Sequence, residues 1–389
     1  MKVKTNCYKI YIKVLSPIHI GSGDSYIPYE YVIKDGYLFF LDREKLTEII
    51  IQKGKYEDFL NVIDSNNILK IRKFIYDNFD NKAVLYKVKV STLVENEYKE
   101  RLGQFANIER GGMRRVINAL EIKRFVREKF ANQVIIPGSS VKGAIRTAVL
   151  SYIASRSQQV NANNSSELEQ KLLKFWKIPD DPFKNVKVSD FKMVNGEVFI
   201  DVVRNTKSFN TDSRGVPVKM ELVLPGAIFE GDIKFIEGKD NLILENITDM
   251  NFIFDSLEYH YTKVLDFEQK KFEYALLGVD FLNHSGVELM KMGNHSGAMA
   301  VTIDGYRKIY NRQTKKIMKS QTTTWRVESL NMPMGWVVIS NDIQKLETIS
   351  TPEIKEINRK EKNKTRLEKT KKDLEEIKKQ LLKKYKKSY

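Results

Sequence analysis

Residues 8–15 read YKIYIKVL and residues 16–28 continue as SPIHIGSGDSYIP. Tyr8, Ile10, Ile12 and Val14 alternate with Lys9, Tyr11 and Lys13, and that period of two predicts a strand. The glycine-punctuated run 16–28 predicts a loop. Residues 29–33 and 37–41 then flank Lys34-Asp35-Gly36, a turn whose Asp-Gly pair tolerates positive φ, so they predict a hairpin. Asp42 can accept from the first free N–H groups of a helix running through Ile51. Amphipathic stretches at 56–63 and 68–79 predict two more helices, followed by a strand at 84–90. Strands separated by helices in this order predict an α+β fold with a ferredoxin-like unit.

Farther along, residues 95–133 carry Arg110, Arg114, Arg115, Lys123, Arg124, Arg127 and Lys129 beside Gly111-Gly112, and are expected to form a basic helical insertion. A short strand at 134–137 enters a Gly-Ser-Ser turn that opens a helix through residue 154. The polar stretch 155–166 reads as a linker. It divides the chain into an N-terminal domain, 1–155, and a C-terminal domain, 156–350. The second half offers strands at 186–193, 198–205, 216–224, 227–236, 324–327 and 335–339, with helices at 241–250 and 267–281. Residues 351–389 read as a lysine-rich helical tail, with Leu367, Leu374 and Leu381 at heptad spacing. Such a tail is either a solvated helix or a docking element.

The chain has 389 residues, 42% apolar and 30% charged, which fits a globular protein of two domains. No run approaches the ~18 apolar residues of a membrane span, and the N-terminus lacks a signal-peptide core. The single cysteine, Cys7, makes neither an internal disulfide nor a cysteine zinc site, so the cytoplasm is the expected location. The net charge of +16 suits a polyanion partner, and equally well solubility or a lysine-rich, AT-biased genome. Half of it lies in residues 353–389, where thirteen Lys and two Arg face seven acidic residues.

Catalytic patterns are sparse. His19, His260, His284 and His295 have no paired metal-ligand spacing, there is no GxSxG elbow, and neither glycine-rich stretch fits GxxxxGK[ST]. No metal, cofactor or catalytic residue is expected. Three small-residue turns stand out instead. In Gly138-Ser139-Ser140-Val141-Lys142-Gly143-Ala144-Ile145-Arg146 the turn starts a helix, whose free N–H groups attract anions, and Lys142 and Arg146 share one face. An ordinary helix start with surface cations is the plainer alternative. His19, Gly21, Ser22 and Gly23 offer flexible backbone donors beside an imidazole. Lys291, Gly293, His295 and Gly297 repeat that chemistry.

SPIHIGSGDSYIPYEYVI after the first strand, IPGSSVKGAIRTAVL at mid-chain and the late KMGNHSG loop resemble a RAMP-superfamily CRISPR protein. Within that superfamily the order and spacing are most similar to the fifth-subunit family of type III-A (Csm) effectors. The resemblance covers roughly residues 1–340; the basic tail matches no family pattern. It implies two ferredoxin-like (RRM-like) domains and a place beside the backbone RAMP subunit at the crRNA 3′ end. It also implies crRNA and other Csm subunits as partners, target RNA only indirectly, no membrane, and a role in crRNA maturation and antiviral defence. RNA contacts are thereby expected at the three turns, and the basic insertion adds Arg110, Arg114 and Arg115 as expected contacts. RNA-cutting backbone subunits carry an Asp two residues before a Pro in the first loop. Tyr26 stands there, before Pro28, and a phenol cannot serve as a metal-linked carboxylate. The chain is therefore expected to be non-catalytic. One alternative is a metal-independent endoribonuclease using His19 or His295 with Lys142 and a tyrosine. Another is a protein scaffold without RNA affinity of its own.

Overall fold

The alternating first segment becomes β1 (Thr5–Val14), followed by β2 (Gly21–Tyr26), β3 (Tyr31–Lys34) and β4 (Tyr37–Leu41). Next come α1 (Arg43–Gln52), α2 (Tyr56–Asp64), α3 (Ile68–Asp77), β5 (Val84–Val90), α4 (Thr92–Leu102), β6 (Ile122–Phe125) and β7 (Ile135–Ile136). The middle of the chain holds α5 (Gly138–Arg156), α6 (Ser165–Leu173), β8 (Val186–Val188), β9 (Phe191–Asn195), β10 (Val198–Thr206), β11 (Val218–Val223) and β12 (Ile228–Ile236). Then follow α7 (Met250–Phe272), β13 (Val287–Lys291), β14 (Ile309–Asn311), β15 (Lys316–Met318), β16 (Thr324–Val327), β17 (Met332–Pro333), β18 (Trp336–Ser340) and α8 (Ile343–Glu347). The computed structural model describes residues 5–102, 120–211, 215–236, 247–276, 286–311 and 314–356.

These elements make an α+β fold with two main sheets. The first runs β13-β18-β1-β12-β9-β7, with β8 also on β12. Its central strand β1 lies antiparallel to β12, from Thr5↔Ile236 to Lys13↔Ile228, and antiparallel to β18, from Tyr11↔Ser340 to Val14↔Val337. The second runs β2-β6-β11-β10-β5-β4-β3, and β16 adds to β10. Both sheets draw strands from each side of residue 155, which lies near the end of α5.

The larger core sits against the first sheet. On α5, Val141, Ile145 and Ala148 recur at helical spacing, as do Ile253, Leu257, Tyr261 and Val264 on α7. Both stripes join the cluster containing Ile10, Ile12, Phe229 and Ile233, and the Tyr261 hydroxyl donates to the Ala144 carbonyl at 3.2 Å. The stripe on α7 is continuous from Met250 to Phe272, so residues 251–266, given no element from sequence, are helical. The expected helices at 241–250 and 267–281 meet it only at its ends, and 241–246 and 277–281 lie outside the described residues. Asp249 caps its start, and Glu273 ends it in the left-handed conformation.

Asp201, fully buried on β10, ties the second sheet to its surroundings. Its carboxylate accepts from Ser91 Oγ at 2.7 Å, Ser329 Oγ at 2.6 Å, and the Ser329 and Val202 N–H groups. Within the segment expected to be a basic helix, residues 122–125 instead form β6, which pairs with β2 and β11. Ile122 and Phe125, three apart, face opposite sides of this strand and are buried in separate apolar clusters, which suits a strand covered on both faces. Residues 1–354 form one contact unit and residues 355–389 another. Among the described residues no helix is long and apolar enough to cross a membrane.

Candidate nucleic-acid interface

The chain beyond β1 and the chain beyond β13 interlock. Leu15 and Ser16 donate to the Trp336 carbonyl, Gly335 N–H donates to Pro17 O, and Met292 N–H donates to Gly335 O. Asn294 N–H then closes on the His19 carbonyl at 2.7 Å. The approach depends on Gly293, whose φ is +87°, because a Cβ there would lie 2.7 Å from the His19 oxygen. The first and late turns named from sequence are thus one structural feature.

His19 is fully buried, and its Nδ1 lies 2.7 Å from the Glu221 carbonyl. A carbonyl only accepts, so Nδ1 carries the proton in that bond. Burial lowers the His19 pKa, against the pull of that bond, and the nearby Lys123 charge lowers it further. His295 stacks on Trp325 with centroids 3.8 Å apart and planes 26° apart. Burial, with Lys123 and His19 adding to it, brings the His295 pKa down to about 4. Both imidazoles therefore stay neutral at pH 7. Gly21, Ser22 and Gly23 belong to β2, whose register against β6 shifts between Gly21 and Ser25. The bulge leaves them exposed, and Ser22 Oγ donates to Asp24 Oδ2 at 2.9 Å.

Glu221 is the residue that sequence reasoning missed. Fully buried on β11, it accepts from Phe125 N–H at 2.8 Å, from the Tyr26 hydroxyl at 3.2 Å, and from Arg127 Nη2. Tyr86 OH donates to Tyr26 OH at 3.2 Å, and Arg124 donates to Tyr86 OH at 2.8 Å. Burial pushes the Tyr26 pKa far up, with the Glu221 charge adding to it. Tyr26 is thus an interior phenol in a carboxylate–arginine network. The available signal was an acid inside the apolar run Val218-Lys219-Met220-Glu221-Leu222-Val223, which must find a partner when buried.

The mid-chain turn is anchored on β8, β9 and α6. Gly138 N–H donates to Asp190 Oδ1 at 2.8 Å, and a Cβ at Gly138 would lie 2.3 Å from Val188 O. Lys142 Nζ donates to Val186 O at 2.7 Å, and burial, then Lys187, lowers its pKa. Burial opposes the charge on Arg146, yet ion pairs with Asp181 and Glu169, at 2.9 and 2.7 Å, raise its pKa. Ser139 and Gly143 stay exposed, with Ser140 half-buried.

Lys291 is also interior. Its side chain is fully buried, paired with Glu268 at 2.5 Å, and 4.9 Å from the Trp336 ring centroid. Burial lowers its pKa against the pull of Glu268. Tyr274 OH and Gln321 Nε2 donate to the same carboxylate at 2.7 and 2.8 Å, and Gln321 Oε1 accepts from Met299 N–H. This network holds the loop through Gly297 in place. Arg110, Arg114 and Arg115 lie outside the described residues, as does the tail from residue 357.

Residues 11–386 match the RAMP superfamily. The chain belongs to that superfamily. Curated relatives include CRISPR system Cms protein Csm5 of Streptococcus thermophilus, 26% identical over 261 residues, covering 64% of this chain and 69% of that protein. The protein of the same name from Methanocaldococcus jannaschii is 29% identical over 233 residues, covering 55% of this chain and 49% of that protein. Among solved structures, a chain of the Csm-crRNA-target RNA ternary complex of a type III-A CRISPR-Cas system aligns with TM-score 0.59 at 20% identity. That alignment covers 86% of this RAMP chain and all of the other. T. onnurineus Csm5 aligns with TM-score 0.55 at 20% identity, covering 84% and 99%. These two likenesses establish a shared fold.

Proposed function

We propose that this RAMP protein is a non-catalytic crRNA-binding subunit of a type III-A (Csm) effector, seated at the crRNA 3′ end. The observation that carries the reading is the match to a Csm5 protein over 64% of the chain. A fold shared with a chain of a Csm-crRNA-target RNA complex supports it. The interface runs over the bulged Gly21, Ser22 and Gly23 of β2 and the interlocked loop from Gly293 to Gly297. Exposed Ser139 and Gly143 of the mid-chain turn extend it, and Lys142 and Arg146 orient their helix beneath. Arg110, Arg114 and Arg115 supply further phosphate contacts. Partners are crRNA, the neighbouring backbone RAMP subunit and other Csm subunits, with target RNA engaged through the guide, in the cytoplasm.

The run β1, α5, β9, β12, α7, β18 has the antiparallel order β18-β1-β12-β9, which supports a ferredoxin-like unit. A second such unit, and a helical tail over 351–389 as a docking element, complete the proposal. The non-catalytic role is supported by Tyr26 being interior and by two imidazoles whose pKa values are pulled down, since an acid catalyst needs a proton near neutral pH. Leaving the chain out of a reconstituted assembly will broaden the crRNA 3′-end distribution and reduce crRNA retained. Unchanged ends and retention refute the placement. Site-specific cleavage of precursor RNA in EDTA would establish the nuclease instead.

A further inference from the structure

Beyond Gly297 a groove of about 980 Å³ opens between the ends of β10 and β16 and the β14–β15 hairpin. That volume lies at the upper end of the roughly 300–1,000 Å³ that enclose small ligands. Its chemistry differs from that of a phosphate site. Among the described lining residues Lys207 is the one charged side chain, and hydroxyls and amides predominate. Phosphate recognition calls for cations or clustered N–H groups, whereas an unpaired base calls for an aromatic surface beside neutral donors and acceptors.

Trp325 supplies the aromatic surface. It lies on β16 directly opposite Asn205 of β10, so the Asn205 amide is its cross-strand neighbour in the same lining. An amide both donates and accepts, and so serves the edge of any base. Thr322 and Thr323, both half-buried, stand in the same wall and bring hydroxyls to it. The wall is also rigid. His295 stacks on Trp325 while holding a φ of +67°, a conformation costly for a side-chain residue unless its surroundings enforce it. Gln321 in the lining is bonded to the buried Glu268. Rigidity of this kind lowers the entropy lost when a flexible ligand is captured.

We propose that this groove captures an unpaired RNA nucleobase, stacked on the accessible part of Trp325 and hydrogen-bonded at its edge by Asn205, Thr322 and Thr323. The inference rests on the RNA-binding reading above and adds a base-holding site to it. Capture is tolerant of base identity, because stacking and an adaptable amide supply the contacts.

The test uses the full chain with single-stranded RNA carrying 5-iodouridine, irradiated and mapped by mass spectrometry. The expected crosslink falls in the tryptic peptide 320–326, which contains Trp325. An abasic nucleotide at the crosslinked position keeps its phosphates but loses its base, and should weaken binding roughly 5- to 150-fold. In Trp325→Leu, intact and abasic RNA should bind alike, whereas Trp325→Phe should restore part of the difference. Melting curves of both variants verify their folding. Crosslinks confined to other peptides, with equal affinity for intact and abasic RNA, overturn the groove and leave the RNA-binding reading standing. Absence of crosslinks anywhere on the chain overturns both.

Discussion

Lys291→Met separates two meanings of one lysine. Sequence reasoning made Lys291 an RNA contact; the structure buries it fully against Glu268 and the Trp336 ring. Removing one partner of such a pair leaves an uncompensated charge, which costs about 3–5 kcal/mol. Glu268 would keep two neutral donors, Tyr274 OH at 2.7 Å and Gln321 Nε2 at 2.8 Å, and these cannot replace an ammonium. The loss is therefore a large part of a typical stability of roughly 5–15 kcal/mol. Adding Glu268→Gln removes the stranded charge and should restore at least about 2 kcal/mol, a coupling that a double-mutant cycle in urea reads directly.

RNA binding supplies the opposing readout. A single-strand phosphate contact contributes about 0.7 to the log-log salt slope, and an interior lysine contributes none. Lys291→Met, assayed where it remains folded, should keep the slope of the unaltered chain. A stability loss under about 1 kcal/mol, together with a slope shallower by about 0.7, would refute the interior assignment.

Gly293→Ala should cost about 1–3 kcal/mol from its left-handed φ alone, with the contact to His19 O adding to it, measured by urea denaturation. Burial raises the Asp201 pKa to about 6, even with Ser329 and Ser91 donating to it. Its protonated form is thus favoured by folding, and about 3 kcal/mol present below pH ~4 should vanish as pH rises through ~6. Asp201→Asn should remove that part of the pH dependence, seen by comparing urea midpoints of both proteins at pH 4 and 7. Arg146→Ala should lower stability by about 1–3 kcal/mol through its lost pairs with Glu169 and Asp181, while Lys142→Ala frees the Val186 carbonyl; salt titrations report whether RNA affinity changes as well. Deleting residues 355–389, a separate contact unit, should leave cooperative melting intact and weaken salt-sensitive RNA binding.

Local periodicity carried much of the fold. The period of two in β1 was visible, but its partners β12 and β18 lie more than two hundred residues away, where one sequence records no pairing. On α7 the aromatic residues around Tyr259, His260 and Tyr261 are indifferent helix formers, so burial of the Ile253–Val264 stripe, rather than propensity, sets its length. At the candidate interface, the glycine-histidine turns were legible as features, whereas their union through Asn294 N–H and His19 O was not. The spacing of Lys142 and Arg146 correctly put both on one helix, yet their partners come from β8, α6 and Asp181. A cation's spacing says which face it occupies; only the tertiary structure says whether that face meets solvent.

That distinction separates two kinds of attraction to RNA. Lys142, Arg146, Lys291 and Arg127 are engaged within the chain, so their charges reach a polyanion weakly and at a distance. Exposed lysines remain elsewhere. Lys34, Lys87 and Lys89 surround Tyr37 on the second sheet, with Lys87 Nζ 4.6 Å from its ring centroid, and the last 37 residues hold half the net charge. Exposed charges of this kind attract a polyanion from afar and lose effect beyond a Debye length of about 8 Å at physiological salt. The Trp325 groove offers hydroxyls, an amide and an aromatic face, which act at contact and are little screened. Raising salt should therefore erode affinity through the exposed lysines first. The loss caused by an abasic nucleotide at the groove should persist, because it comes from uncharged groups.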